Sequence, residues 1–173
     1  MAIKCSVAGL LLLFCVPMPA AAAPPPNEMA TLEVRDRAEI HALLIDYGRT
    51  LDARDFDGFG RLFARHGIYV TGPGMQTEGA DATAQMMRKI MADNPMGFRE
   101  PNFHVFFNEV IELEGGGRAR ASSMSLFVAP DAANRPQPML MARYEDELVR
   151  EDGRWKFARR TVHSLIPAPQ PKR

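Results

Sequence analysis

One imidazole in this chain has an unusual setting. The run Phe103-His104-Val105-Phe106-Phe107 surrounds His104 with aromatic and aliphatic neighbours, and an imidazole among such groups needs a hydrogen-bond partner or a task. It is either a core histidine satisfied by a backbone carbonyl or a general base held by a carboxylate. Candidate carboxylates lie in IDYGRTLDARDFDGFGRLF, where Asp46, Asp52, Asp55 and Asp57 accompany Tyr47. Asp55 suits a helix N-cap, and Asp46 and Asp57 read as solvated charges. Asp52 is harder to explain, because a carboxylate near the end of a helix gains nothing from the helix dipole. Five residues of ideal helix turn Asp52 about 140 degrees away from Tyr47, so the two do not share a stripe; Asp52 belongs with His41, Ile45 and Gly48.

Other polar residues fall in strand-like runs. Tyr144 either donates a hydrogen bond into a cavity or packs, and Tyr69 is a similar candidate. Of Arg159 and Arg160 only one can face inward, since strand neighbours point oppositely. The sequence has no Gly-rich phosphate loop, no Gly-x-Ser-x-Gly elbow and no His-Glu-x-x-His. His41, His66, His104 and His163 are spaced unlike any metal motif, so no metal is expected.

The elements that must position these residues follow from periodicity. From Leu32, residues Ile40, Leu43, Leu44, Tyr47 and Leu51 recur at helical spacing. Gly48 costs this helix about 1 kcal/mol relative to Ala, which points to a need for space there. Asp55 opens a second helix with Phe56, Phe59, Leu62 and Phe63 on its buried side, ended by His66-Gly67. Residues 68–72 read as a strand and 72–79 as a loop. Asp81 opens a third helix, with Met86, Met87, Ile90 and Met91 inward, stopped at Asn94-Pro95. Four strand-like runs follow at 103–113, 118–128, 139–149 and 155–166, with hairpin signals between them. In the first of these, alternation groups Phe103, Val105, Phe107 and Ile111 on one face and His104, Phe106 and Val110 on the other. Apolar groups on both faces suggest helices on one side of the sheet and a second subunit on the other. Helices followed by antiparallel strands make an α+β fold.

The chain of 173 residues opens with a short basic start, an apolar run from Cys5 to Val16 and small residues up to Ala23. That is the pattern of a secretory signal peptide, too short in its core for a membrane span. Residues 1–23 are therefore read as a leader, 24–31 as a Pro-rich flexible stem, 32–166 as one domain and 167–173 as a disordered tail. Both cysteines lie in the leader, which leaves no disulfide and no thiol chemistry to the domain. Setting the leader aside leaves 20 Lys+Arg against 21 Asp+Glu, a balance that argues against nucleic acid as a partner.

The order Tyr47-x-x-x-x-Asp52, ArgAspPheAspGlyPhe, PheHis104ValPhePheAsn108 and a final Tyr144-to-Arg160 hairpin with Trp155 resembles the SnoaL-like branch of the nuclear transport factor 2-like superfamily. The likeness runs from about Leu32 to Ile166. It implies a cone-shaped α+β barrel, with three helices packed in a strongly curved, mostly antiparallel sheet. Assembly as a homodimer or homotrimer through the sheet's outer face is also implied. Within this branch the chain resembles the scytalone dehydratase, bile-acid 7α-dehydratase and hexachlorocyclohexane dehydrochlorinase group. These are cofactor-free lyases with a His-Asp dyad, and His104 and Asp52 match its positions, with Tyr47 as hydrogen-bond donor. The resemblance implies a hydrophobic small-molecule substrate and likens Tyr69 and Arg160 to residues that face it; Phe106, Asn108, Met124 and Tyr144 are expected to complete the substrate-facing set. Met139, Met141 and the methionines of the third helix would add an adaptable lining. The superfamily also contains isomerases and non-catalytic binding modules, so the expected function is a cofactor-free lyase or isomerase, with a non-catalytic small-molecule-binding module as the alternative.

Overall fold

The computed structural model describes residues 25–167. The leader expected over 1–23, Pro24 and residues 168–173 of the expected tail lie outside the described residues. Helix α1 runs Pro26–Asp52. It therefore takes in most of the segment read as a flexible stem, and Pro26 is tolerated because it sits in the first turn, where no intrahelical N–H is needed. Its stripe is as periodicity predicts: Ile40, Leu43, Leu44, Tyr47 and Leu51 are all buried. Asp55 caps α2 (Phe56–Arg61), its side chain accepting from the Gly58 amide at 2.7 Å.

Two boundaries differ from the sequence reading. Strand β1 spans Phe63–Gly72, five residues earlier than expected, because Phe63 pairs in parallel with Phe157 before the register shifts. The segment read as a loop contains strand β2 (Met75–Glu78), which pairs antiparallel with β1 across a tight turn at Pro73-Gly74. Helix α3 spans Ala80–Asp93 and closes on Asn94 in the left-handed region. Thr83, Ala84 and Met87 are its buried residues. Met86 and Met91 are half-buried, whereas Ile90, expected inside, is exposed.

The long strands match the four predicted runs: β3 Phe103–Gly115, β4 Arg118–Pro130, β5 Pro136–Glu151 and β6 Arg154–Ile166. The sheet order is β2-β1-β6-β5-β4-β3; only β1 and β6 run parallel. The fold is α+β, with helices against one face of a six-stranded, curved and unclosed sheet. Helix α1 lies across β3 and β6, and α2 packs on α3. The core between the layers is Ile40, Leu44, Leu51, Phe59, Phe63, Phe157 and their neighbours.

Two bulges set which side chains reach that core. In β3, Phe107 pairs with Met124 but Val110 pairs with Ser122, so one extra residue is inserted at Asn108, whose φ is 53°. Asn tolerates that conformation better than most residues. The insertion reverses the alternation. Ile111 joins His104 and Phe106 toward the core, while Val110 turns out with Phe103 and Val105. The grouping of Ile111 with Phe103 and of Val110 with His104 is thereby corrected. In β6, Leu148 pairs with Phe157 and Glu147 with Arg159, which leaves Ala158 as the extra residue. Trp155, Phe157 and Arg160 consequently all face inward.

Candidate active site

Asp52 is the last residue of α1, and from there its carboxylate reaches β3 twice. Its Oδ1 meets His104 Nδ1 at 2.7 Å, and its Oδ2 accepts the His104 backbone N–H at 3.0 Å. Both side chains are largely withdrawn from water, at 11% and 19% exposure for His104 and Asp52. Charge-assisted bonds of this length in a shielded place are strong and directional. An ionised Asp52 puts the ring proton on Nδ1 and leaves Nε2 with its lone pair. The backbone bond anchors the carboxylate independently of the imidazole.

Gly48 is what lets α1 lie so close. A Cβ at this position would stand 2.8 Å from Phe106 Cε2 and 3.0 Å from His104 Cβ. The space that the sequence hinted at is the contact between helix and catalytic-candidate strand. His104 packs between Phe106 and Phe127, with ring centroids 6.4 and 4.9 Å away. Phe98, from the loop before β3, covers Phe127.

Tyr47 does not share a helical stripe with Asp52, yet its ring is 6.5 Å from the His104 ring. His104 enters between the two positions, so the angular gap on α1 is spanned by a residue from the sheet. The Tyr47 hydroxyl bonds the Tyr69 hydroxyl at 2.6 Å, and Tyr144 bonds Ser125 Oγ at 2.9 Å. All three tyrosines are buried. Burial, and for Tyr47 the neighbouring Tyr69 and Tyr144, push their hydroxyl pKa values up, only partly offset by Arg160. They stay protonated and able to donate.

Arg160 is fully buried. Its guanidinium lies 4.0 Å from the Tyr47 ring centre and 4.1 Å from that of Tyr144. Arg159 points to the other face of the sheet, beside Glu147. Phe106 packs against Tyr47 and Tyr144. Of the expected substrate-facing set, Tyr69, Phe106, Tyr144 and Arg160 therefore meet around Tyr47.

Asn108 and Met124 do not. The bulge turns Asn108 outward, where its Nδ2 donates to Met124 Sδ at 3.7 Å. Met124 is out of phase with buried Ser123 and Ser125 on β4, so it too sits on the face away from the helices. Met139 is exposed, and Met141 pairs with Leu126 on the outer face. The methionine lining expected from β4 and β5 is thus on the wrong side.

Asp146 was missed in the sequence. It is 4% exposed and faces Arg160 across β5 and β6, Oδ1 to Nε 3.6 Å. The signal was available, because Ala142, Tyr144, Asp146 and Leu148 alternate on one face of a strand. Two hollows lie away from the dyad. One of about 570 Å³ opens on the outer face of the sheet near Arg120, Glu147 and Arg159. Another of about 850 Å³ lies between α1, α2 and the β5–β6 turn, near Arg49, Arg61 and Trp155. Among the described residues, no group of three His, Cys, Asp or Glu side chains comes together as a metal site, and no helix is long and apolar enough to cross a membrane.

The profile of the SnoaL-like domain matches residues 32–161. The chain belongs to the SnoaL-like domain family. Among curated proteins, none matches it. Solved structures similar to this SnoaL-like chain include a Mycobacterium tuberculosis protein of unknown function, at 22% identity and a TM-score of 0.66 over 83% of this chain and 78% of that one. An NTF2-like protein with a cystatin-like fold from Novosphingobium aromaticivorans has 23% identity and a TM-score of 0.67, covering 80% of this chain and 88% of that one. A candidate scytalone dehydratase from the same organism has 25% identity and a TM-score of 0.63, covering 80% and 87%. The curved SnoaL-like sheet with helices on one face is common ground with NTF2-like proteins.

Proposed function

We propose that the chain is a cofactor-free lyase of the dehydratase type, or an isomerase, acting on a hydrophobic alicyclic or aromatic small molecule. The observation that carries this reading is the double engagement of Asp52, one oxygen on the His104 ring and the other on the His104 amide. Nε2 takes a proton from carbon, and Asp52 stabilises the imidazolium that forms. In an elimination the C–H electron pair becomes the new double bond. The hydroxyl then leaves as water with a proton supplied by the site. Tyr47, protonated and 6.5 Å ring to ring from His104, donates to the departing oxygen or to a developing oxyanion. General-base action contributes about 10²–10⁴-fold, and orientation in a shielded site supplies the remainder. The likeness to a candidate scytalone dehydratase agrees with this chemistry.

The same reading takes residues 1–23 as an export leader, with the domain working in the periplasm or outside the cell as a homodimer or homotrimer. A second reading, a small-molecule-binding module without chemistry, is favoured by one observation: Tyr47, Phe106, Tyr144 and Arg160 fill the space between helices and sheet by packing on one another. Screening hydrophobic hydroxy-ketones and sterols by thermal shift, then analysing products of the hits, separates the two. The lyase or isomerase reading predicts new product from at least one stabilising compound. Stabilisation without conversion across the panel supports the binding module.

A further inference from the structure

Eight buried polar side-chain atoms lack a hydrogen-bond partner among the described residues, and six of them belong to three side chains: Ser123 Oγ, both Asp146 carboxylate oxygens, and Nε, Nη1 and Nη2 of Arg160. Arg160 and Asp146 are opposite charges facing each other, yet their closest approach of 3.6 Å is too long for a hydrogen bond. A guanidinium free to choose takes a carboxylate with its planar fork. Here the plane is held by rings instead, Tyr47 at 4.0 Å, Tyr144 at 4.1 Å and Phe157 at 4.5 Å. Asp146 balances the charge without gripping the group that carries it.

We propose that Asp146 is a positioning residue: its charge keeps Arg160 seated between Tyr47 and Tyr144, and its protonation unseats the guanidinium and shifts Tyr47 relative to His104 and Asp52. The consequence for reactivity rests on the dyad being the reaction centre; the movement itself does not. The groups that face this pair are Tyr47 from α1, Tyr69 from β1, Tyr144 on β5 itself and Arg160 from β6, with Glu145 adjacent in sequence. Ala121 is the β4 residue opposite Asp146, and His104 of β3 lies beyond Tyr47. Burial pushes the Asp146 carboxyl up to about 6, with Arg160 opposing and Glu145 adding to the rise. In mild acid the carboxylate is neutralised while Arg160 keeps its charge. Arg160 then loses the coulombic attraction toward β5, and the aromatic faces alone have to hold it.

The chain contains three tyrosines, and all three lie in this cluster. Full-length protein carrying ¹³C-tyrosine therefore reports on nothing else. Titrated from pH 4.5 to 8 without ligand, the Tyr47 and Tyr144 ring signals are expected to move together with one midpoint near 6. Asp146→Asn is expected to flatten that movement and to hold the signals at the wild-type acid-end positions. Signals that do not move, or that move in Asp146→Asn as they do in wild type, overturn the proposal; the second result assigns the movement to another group. Should the variant not fold, ¹³C-aspartate in the wild-type chain decides. One carboxyl titrating near 6 in step with the tyrosine signals supports the proposal, and its absence overturns it. None of these readouts needs turnover, so a binding module can pass and a lyase can fail.

Discussion

Asp146 occupies a place where its strand calls for an apolar side chain, between Tyr144 and Leu148 on the inner face of β5. Its folded-state pKa, about 6, stands above the value near 3.9 of an unfolded carboxyl. The folded chain therefore binds this proton more tightly than the unfolded chain. The stabilisation is fully present below about pH 4 and is lost as pH rises through about 6, a change on the order of 2–3 kcal/mol. Half-buried carboxylates such as Asp131 and Glu151 are shifted down by their hydrogen bonds and slope the other way, so the informative quantity is a difference. Denaturant midpoints of wild type minus Asp146→Asn should decline between pH 4.5 and 7. A flat or rising difference would mean that Asp146 is solvated and ordinary. At this scale the sequence had much to say about His104 and Asp52, because a lone imidazole among phenylalanines and a carboxylate unsuited to its helix end are both local anomalies. It said little about Arg160. Alternation from Trp155 and Phe157 points Arg159 inward, and only the extra residue at Ala158 brings Arg160 into the core.

Among the elements, α1 against β3 is the contact that makes the site. Gly48 sits where they touch. Gly48→Ala gives the helix about 1 kcal/mol in propensity, but overpacking costs about 1–3 kcal/mol. The atom in the way at 3.0 Å is the His104 Cβ, fixed to the β3 backbone. The expected outcome is a net loss near 1 kcal/mol in thermal or denaturant unfolding, with a drop in any turnover larger than stability explains. A stabilised Gly48→Ala protein would contradict the packing described here. Elements with strong periodicity, α1 and the four long strands, are legible in the sequence. The short β2 was not, since Met75–Glu78 lies between glycines and owes its strand form to pairing with Ile68, Tyr69 and Val70. The outward turn of Asn108 was also hidden, because a bulge changes parity through pairing rather than through composition, whereas Met124 faces out by plain alternation with Ser123 and Ser125.

For the whole molecule, the outer face of the sheet has an arrangement suited to a second copy. In register across β3, β4, β5 and β6 stand Glu112, Arg120, Glu147 and Arg159, alternating in sign. A parallel row, Val105, Leu126, Met141 and Ile166, is apolar. A two-fold axis along the strands reverses each row onto itself, so Glu112 meets the second copy's Arg159 and apolar meets apolar. Light scattering on size-exclusion fractions should find a dimer in wild type and a smaller species in Arg159→Glu. Adding Glu112→Arg to that variant should restore the dimer. A monomeric wild type would remove the proposed partner from this face.

The central claim, that His104 held by Asp52 removes a proton from carbon, is tested most directly by exchange. A stabilising hydroxy-ketone is incubated with protein in deuterium oxide, and deuterium at the carbon next to the carbonyl is followed by mass spectrometry or NMR. Wild type should incorporate deuterium or form deuterated product. His104→Ala should do so about 10²–10⁴-fold more slowly, while unfolding within a few degrees of wild type, because Asp52 keeps the backbone amide. Equal rates in the two proteins would contradict the account.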